Sequence, residues 1–151
     1  YCSAEFTEHG LEALEAQAAI SRNTAAGTLR GLHFIPENQG EAKLVRCVAG
    51  RIFDVAVDLR TGSPTYLQHV SVELDADSGI ALYLPRGVAH GFVTLQDSCD
   101  LLYQFSQAHR PGLEKGVRWD DPELAIPWPL QPTVVSDRDR ALPFVEDLCR
   151  G

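Results

Sequence analysis

Four side chains in this sequence have the types needed for acid–base chemistry on an anionic molecule. Arg30 and His33 lie in the short apolar segment GTLRGLHF, and Lys43 opens the β-rich segment KLVRCVAG. His90 follows the turn residues of LPRGVAH. A neutral histidine is a good general base near pH 7, a lysine ammonium can stabilise an oxyanion, and an arginine presents a fork that suits phosphate. These residue types fit proton abstraction beside a carbonyl group on a phosphorylated substrate.

The spacing around His90 resembles a known barrel motif. Gly79, Pro85, Gly87 and His90 match the second motif of the cupins, a family of jelly-roll barrels. Pro85 and Gly87 suit a tight turn, after which His90 would point inward from the next strand. The resemblance implies a mainly β protein, a cupin-type jelly-roll barrel with short flanking helices.

The first cupin motif is only half present, which bears on metal binding. Gly27 and His33 match its opening, whereas Ile35 and Lys43 occupy the positions of a second histidine and a glutamate. Cupin metal sites use three histidines and one glutamate, and an ammonium at one of these positions repels a divalent ion. We therefore expect the barrel to hold no metal. On this reasoning alone, His33 and His90 could still be two core histidines with satisfied hydrogen bonds.

The elements that must position these residues are predicted to be short strands. In RIFDVAVDL, the side chains of Phe53, Val55, Val57 and Leu59 share one face, which we expect to be the core face. Turn sequences such as TGSPT and DADSG separate the strands, and many short strands of this kind indicate a sandwich or a small barrel. Six segments have this β-rich character: KLVRCVAG, RIFDVAVDL, YLQHVSVEL, IALYL, VAHGFVTL and DLLYQFSQ.

The two ends of the chain carry helix and loop signals instead. SAEFTEHG predicts a short helix with Ser3 as N-cap and Gly10 in the left-handed region, and LEALEAQAAI could be either a helix or an edge strand. After Pro111 the chain is rich in proline and is expected to wrap the barrel surface. SDRDRALPF predicts a short helix with Ser136 as N-cap and Asp139 at the capping-box position.

Composition limits the classes of protein to which the chain can belong. With 151 residues, 44% of them apolar, the chain suits one domain over residues 1–151. The net charge of −8 argues against nucleic-acid binding, and no apolar run is long enough to span a membrane. The four cysteines lack C-x-x-C spacing, so we expect reduced thiols and a cytoplasmic location. The chain opens at Tyr1 and contains no methionine, so we expect its natural N-terminus to be missing.

Longer segments closely resemble one enzyme family, the dTDP-4-dehydrorhamnose 3,5-epimerases. The resemblance covers about residues 1–145 and implies a homodimeric isomerase of dTDP-sugar biosynthesis. The implied substrate is a nucleoside-diphosphate 4-keto-6-deoxy sugar, and no redox cofactor is expected because the ketone is already present. The segments that carry the resemblance are, in order, GTLRGLHF, AKLVRCVAGRIFDVAVDLRTGSPT, LPRGVAHGFVTL, LLYQ, GVRWDDPELAIPWP and SDRD.

The same resemblance implies a role for ten residues. His33 corresponds to the base that removes the proton beside the C4 ketone, and Asp139 corresponds to the carboxylate that pairs with it. Tyr103 corresponds to the acid that returns a proton on the opposite face, and Lys43 to the residue near the ketone oxygen, where enolate charge develops. Six further residues correspond to substrate-binding positions: Arg30, Gln17, His90, Glu114, Arg138 and His109.

Three features depart from the family pattern. An upstream D-x-R-G-x-F segment, whose arginine reaches the nucleotide of a neighbouring subunit, is absent; Ala19 stands in place of an asparagine, and His109 in place of an aromatic residue. The proton-transfer residues are therefore retained while the binding residues vary. Four functions stay open: an epimerase acting at carbons 3 and 5, a relative that inverts only one of them, a ketoisomerase, and a catalytically idle protein that binds a nucleotide sugar.

Overall fold

Short strands dominate the computed structural model, which describes residues 1–148. All six segments with strand character form strands, so the mainly β prediction is confirmed. A 3-10 turn at Glu37–Gln39 follows the second strand. The elements in chain order are α1 (Ser3–Glu8), β1 (Gln17–Asn23), β2 (Thr28–Phe34), β3 (Lys43–Ala49), β4 (Arg51–Asp58), β5 (His69–Asp75), β6 (Leu82–Leu84), β7 (Val88–Thr94), β8 (Cys99–Phe105), β9 (Lys115–Gly116), β10 (Val134–Val135), α2 (Asp137–Arg140) and α3 (Val145–Leu148).

The strands form two sheets that face each other. One sheet has four strands in the order β1-β8-β3-β6, and the other has the order β10-β2-β7-β4-β5, with β9 also paired to β2. The long strands pair antiparallel, whereas the short β10 runs parallel to β2. Most neighbours in these sheets are distant in sequence, as in a jelly roll, which agrees with the predicted barrel.

Apolar side chains pack in two layers, one on each side of the six-stranded sheet. The prediction of a single core face on β4 is therefore wrong in part, because Val55 and Val57 pack in the outer layer while Ile52 packs between the sheets. The layer between the sheets contains Val45, Cys47, Ile52, Leu74, Leu84, Phe92, Cys99 and Leu101. The outer layer, which the C-terminal segment helps to cover, contains Leu32, Phe34, Val55, Val57, Ala89, Val117, Leu124 and Val145.

The N-terminal segment differs from its prediction by one residue. The helix α1 begins at Ser3 with Cys2 as N-cap, and no side chain caps it, so the assignment of Ser3 as N-cap is wrong. Gly10 does adopt a left-handed φ of +73°, as predicted. Of the two alternatives for LEALEAQAAI, the edge strand is observed over its last four residues, since β1 begins at Gln17 and forms one edge of the four-stranded sheet, while residues 11–16 form neither helix nor strand. Within residues 1–148, no helix is long and apolar enough to cross a membrane.

Candidate active site

An open cavity of about 200 Å³ lies between the two sheets, where β1 and β3 begin and β8 ends. Below we call it the barrel cavity. Its wall combines residues from both sheets and from the segment after β8. The lining residues are Gln17, His33, Glu41, Lys43, His90, Tyr103, Phe105, His109 and Glu114. Seven of the ten residues predicted from the sequence therefore line this one space.

A bulge in β2 places Arg30 and His33 on the same face. Arg30 lies opposite Phe92 and His33 lies opposite His90, so three steps along β2 match two steps along β7. Without the extra residue, strand alternation would direct the two side chains to opposite faces. Gly31, inside the bulge, has a φ of +114°, and a Cβ at this position would lie 2.6 Å from the His90 carbonyl oxygen. Only glycine fits there without strain.

His33 forms a close pair with Asp139. The His33 Nε2 atom lies 2.6 Å from Asp139 Oδ1, and the carboxylate is almost fully buried. Asp139 stands in the first turn of α2, where its backbone N–H donates to the Ser136 side chain, as predicted for this cap. Burial acts to raise the pKa of Asp139, but hydrogen bonds from His33, Ser136 and the Gly31 N–H outweigh it and hold that pKa below its usual value. The carboxylate is thus ionised and orients the imidazole.

A second histidine–carboxylate pair lies beside the first. His90 Nε2 is 2.7 Å from Asp54 Oδ1, and His90 is the direct cross-strand partner of His33. The Asp54 side chain is 0% exposed, and its Oδ2 atom is the buried polar side-chain atom without a hydrogen-bond partner in the described part of the chain. Asp54 was not predicted as a site residue. Its signal in the sequence was a charged residue in the middle of the apolar strand RIFDVAVDL.

Tyr103 stands on the four-stranded sheet, across the cavity from β2. Its ring stacks on Phe105 with centroids 5.9 Å apart, and it meets the His90 ring edge-on at 5.7 Å. Burial and the nearby negative charge of Asp54 raise the pKa of Tyr103 well above its ordinary value, while Arg30 opposes this effect. Tyr103 therefore keeps its proton at neutral pH and can donate it.

Lys43 and Glu41 occupy the same wall of the cavity. Lys43 begins β3 opposite Phe105, and its Nζ atom lies 5.8 Å from the centroid of the Phe105 ring. Glu41 Oε1 lies 3.4 Å from Lys43 Nζ, and both side chains are about one-tenth exposed, at 10% and 11%. Glu41 and Phe105 were not predicted as site residues. The sequence signal for Glu41 was its position two residues before Lys43.

The remaining predicted residues surround the cavity mouth. The Gln17 side-chain oxygen accepts a hydrogen bond from the His109 backbone N–H at 2.7 Å. Arg138 pairs with Glu114, and its side chain is largely exposed. Arg30 is also exposed, and its Nε donates to the Asn23 side chain at 3.2 Å. Three predicted residues do not line the cavity themselves. Asp139 contacts the lining residue His33, Arg138 pairs with the lining residue Glu114, and Arg30 shares a face of β2 with His33.

The arrangement provides a proton acceptor and a proton donor on two walls of one cavity. The His33–Asp139 pair is carried by the six-stranded sheet and α2, and Tyr103 by the four-stranded sheet. A lysine ammonium beside them can stabilise negative charge on an oxygen. Among residues 1–148, no three His, Cys, Asp or Glu side chains are grouped as a metal site would require.

Comparisons with known proteins show the family that nearly the whole chain resembles. The model of a family described as dTDP-4-dehydrorhamnose 3,5-epimerase matches residues 1–147. A Sinorhizobium fredii protein of that name is 43% identical over 129 residues, which are 85% of this chain and 66% of the relative. A Streptomyces niveus dTDP-4-dehydrorhamnose 3-epimerase is 46% identical over 125 residues, which are 83% of this chain and 60% of the relative. The aligned part thus spans less than two thirds of either relative.

A solved structure shows the same fold. The crystal structure of dTDP-4-dehydrorhamnose 3,5-epimerase from Bacillus anthracis, with TDP and PPi bound, superposes with a TM-score of 0.91 at 39% sequence identity. The superposition covers 96% of this chain and 83% of that one. This likeness extends over nearly all of the two sheets that form the barrel cavity.

Proposed function

The chain belongs to the dTDP-4-dehydrorhamnose 3,5-epimerase family, and on that premise we propose that it inverts carbon 3, carbon 5 or both in a dTDP-4-keto-6-deoxy sugar. One observation carries this proposal: the His33–Asp139 pair and Tyr103 face one cavity from two different sheets. Inversion needs a proton to leave one face of a carbon and another to arrive on the opposite face, and two opposed walls allow both steps.

In the proposed reaction, His33 removes the proton from the carbon beside the C4 ketone. Because Nε2 of His33 donates to the ionised Asp139, its Nδ1 carries the lone pair that takes the proton. The C–H electron pair forms a C=C double bond to C4, the π pair of the C4 carbonyl moves onto its oxygen, and Lys43 stabilises the resulting enolate oxygen.

Tyr103 completes the inversion by protonating the enolate carbon from the other face. The carbonyl re-forms, and the stereocentre has changed configuration without oxidation or reduction. Solvent then restores the proton to Tyr103 and takes the one held by His33. The high pKa of Tyr103 favours this role, since the donor is protonated when the enolate forms.

The cavity mouth is the proposed place for the nucleotide. Arg30 and Arg138 supply positive charge there, and His109 offers a flat ring beside Gln17. The TDP and PPi bound to the Bacillus anthracis relative support a nucleotide-diphosphate ligand for this fold. In this proposal His90 and Glu114 bind the substrate from the cavity wall.

Inversion at a single carbon is the second candidate function. The Streptomyces niveus relative is named as a 3-epimerase and is 46% identical to this chain over 83% of its length, so single inversion occurs in the names of similar proteins as well. The proton-transfer residues described above serve either outcome.

An exchange experiment tests the proposed function and separates the two outcomes. The protein is incubated with dTDP-4-keto-6-deoxyglucose in deuterated water, and label is followed by NMR at carbons 3 and 5. Label with inverted configuration at both carbons indicates the double epimerase, and label with inverted configuration at one carbon indicates the single one. Absence of label at both carbons, with the nucleotide sugar bound, would contradict the proposal and leave a binding protein.

The proposed assembly is a homodimer. The strand β1 pairs only with β8 among the described residues, so its other edge is open, and Ile20 on its outer face is 57% exposed. Val48, on the same sheet, is 42% exposed. An open strand edge beside apolar residues suits pairing with a second copy.

Light scattering tests the homodimer. It should give twice the mass of the chain, and Ile20→Glu should shift the measured mass toward that of the monomer. A monomeric wild type would contradict the proposal.

The proposed location is the cytoplasm, which the state of the thiols supports. Cys2, Cys47 and Cys99 are free, and Cys149 lies outside the described residues. Burial raises the pKa of Cys47 to about 11, so this thiol is protonated and unreactive. Reduced cysteines are typical of cytoplasmic proteins.

Thiol trapping in cells that make the protein tests this location. It should find Cys2 reduced, and a disulfide at Cys2 would contradict the proposed location.

A further inference from the structure

Glu41 is a largely buried carboxylate in the barrel cavity for which the proposed reaction has no role. Its side chain is 10% exposed, and Oε1 lies 3.4 Å from Lys43 Nζ. Glu41 and Lys43 are two positions apart in extended chain, so both side chains point into the cavity. Of the residues that the structure describes, Glu41 is the one that forms an ion pair with Lys43.

The backbone around Glu41 is fixed to the opposite strand. The Ala42 N–H donates to the Ser106 side chain at 2.8 Å, and the Ser106 N–H donates to the Ala42 carbonyl at 3.0 Å. Ala42 itself is completely buried. The Glu41 carboxylate therefore projects from a backbone with little freedom to move.

Lys43 needs such a partner if its ammonium is to act at a defined point. A lysine side chain has four rotatable bonds and three N–H donors on a freely turning head group. Nζ lies 5.8 Å from the centroid of the Phe105 ring and 3.4 Å from Glu41 Oε1. Attraction to the carboxylate thus favours this position of Nζ over the other positions that the flexible side chain could reach.

We propose that Glu41 is a positioning residue, which holds the Lys43 ammonium where the ketone oxygen of the substrate becomes an enolate. The inference rests on the proposed function, because it assigns the partner of the group that stabilises the enolate. The enolate has more charge on oxygen than the ketone does, so a misplaced ammonium weakens binding of the transition state more than binding of the substrate. Loss of Glu41 should therefore lower kcat more than it raises KM.

A purely structural role for Glu41 would give a different result. If the carboxylate only neutralised a buried lysine, its removal would lower the unfolding temperature, and activity would fall only as far as folded protein was lost. The contribution to Lys43 is best isolated by a double-mutant cycle, since two residues that act as a unit give non-additive effects.

The experiment measures kcat, KM and unfolding temperature with dTDP-4-keto-6-deoxyglucose as substrate. The variants are Glu41→Ala, Glu41→Gln, Lys43→Met and the double variant Glu41→Ala/Lys43→Met. Glu41→Gln keeps the size and one oxygen acceptor, so it folds even where the alanine variant is unstable. Glu73→Gln is the matched control, because Glu73 is 54% exposed and pairs with Arg51 on β4, away from the cavity.

We expect Glu41→Ala to lower kcat about 10- to 100-fold with KM changed less than about threefold, which is the range for a misplaced catalytic group. The kcat of Glu41→Gln should lie between those of Glu41→Ala and the wild type, and the kcat of Glu73→Gln should equal that of the wild type. The double variant should be no slower than Lys43→Met. A Glu41→Ala kcat within twofold of the wild type, or losses that multiply in the double variant, would overturn the inference. An inactive wild type would instead overturn the proposed function, and the inference with it.

Discussion

His33 and His90 lie side by side on neighbouring strands, each bound to a carboxylate, yet they differ in access to the cavity. The His33 side chain is 22% exposed, and Asp139 contacts its Nε2 atom rather than its Nδ1 atom. The His90 side chain is 7% exposed and contacts the Tyr103 ring. Reaction with a substrate carbon requires access, so His33 is the base in this account. Burial first and the Asp54 carboxylate second raise the pKa of Tyr103, so the partner of His90 acts on Tyr103 through its charge.

The raised pKa of Tyr103 makes a prediction for the pH dependence of the reaction. A group whose pKa lies above its ordinary value of about 10 stays protonated up to and beyond that pH. We therefore expect kcat/KM to show no loss below about pH 10 that is due to ionisation of Tyr103. The alkaline absorbance titration of tyrosinate, compared between the wild type and Tyr103→Phe, measures this together with the wild-type pH profile. A tyrosinate signal that appears below about pH 10 in the wild type and is missing from Tyr103→Phe would contradict the assignment.

The bulge in β2 is the element on which the site geometry depends. It turns Arg30 and His33 to one face, and it brings the Gly31 N–H to Asp139 Oδ2 at a distance of 3.4 Å. Strand periodicity read from the sequence could not show this, because a pattern with period two assumes that no residue is added. The glycines of GTLRGLHF were visible, but the close approach of Gly31 to β7 depends on the pairing of strands nearly 60 residues apart.

A substitution in this bulge should damage stability and activity together. Gly31→Ala adds a Cβ that would lie 2.6 Å from the His90 carbonyl oxygen, at a φ of +114°. We expect a loss of about 2 to 6 kcal/mol in the free energy of unfolding and a large fall in kcat, since the strand must move with His33 on it.

A matched glycine controls for the added methyl group. Gly62 has open space around its Cβ position and no left-handed φ, so Gly62→Ala should change the free energy of unfolding by less than about 0.5 kcal/mol. Urea unfolding of the two variants makes the comparison. Equal free energies of unfolding for Gly31→Ala and Gly62→Ala would show that the bulge tolerates a side chain at position 31, and would contradict this prediction.

The turn after β4 is a second element whose role follows from its hydrogen bonds. Asp58 accepts from the Arg60 Nε at 2.8 Å and from the hydroxyls of Ser63 and Thr65, each at 2.6 Å. The Arg60 guanidinium is the main cause of the lowered pKa of Asp58, with smaller help from the two hydroxyls against the effect of burial. The sequence TGSPT indicated the turn, but it did not show that Asp58 organises it.

This turn should contribute to stability in a pH-dependent way. Because the folded pKa of Asp58 lies below its unfolded value of about 4, its stabilisation is complete above that value and is lost as the pH falls toward the folded pKa. Asp58→Asn should cost about 1 to 3 kcal/mol at pH 7, and the difference from wild type should shrink below pH 4. Urea titrations at several pH values check this, with the exposed Asp77→Asn as control. A difference that stays constant with pH would contradict the ionic role.

At the scale of the molecule, the site exists only because two sheets close over it. Its residues run from Gln17 to Asp139 along the chain, and the positive groups at the mouth act within a protein of net charge −8. Composition could argue against nonspecific binding to nucleic acid, and periodicity could find the strands. Only the resemblance to a family predicted that residues so distant in sequence belong to one site. Asp54 and Glu41 were missed because their importance arises from partners on other strands or from burial.

The central claim is that His33 and Tyr103 act from opposite walls, and one measurement in deuterated water tests it most directly. In Tyr103→Phe, His33 can still remove the substrate proton, exchange it with the deuterated solvent and return a deuteron to the same face, so label should enter with the original configuration retained. In His33→Ala, label and inversion should both fall by about 10²- to 10⁴-fold. Inversion at the wild-type rate by Tyr103→Phe, or full exchange by His33→Ala, would contradict the account.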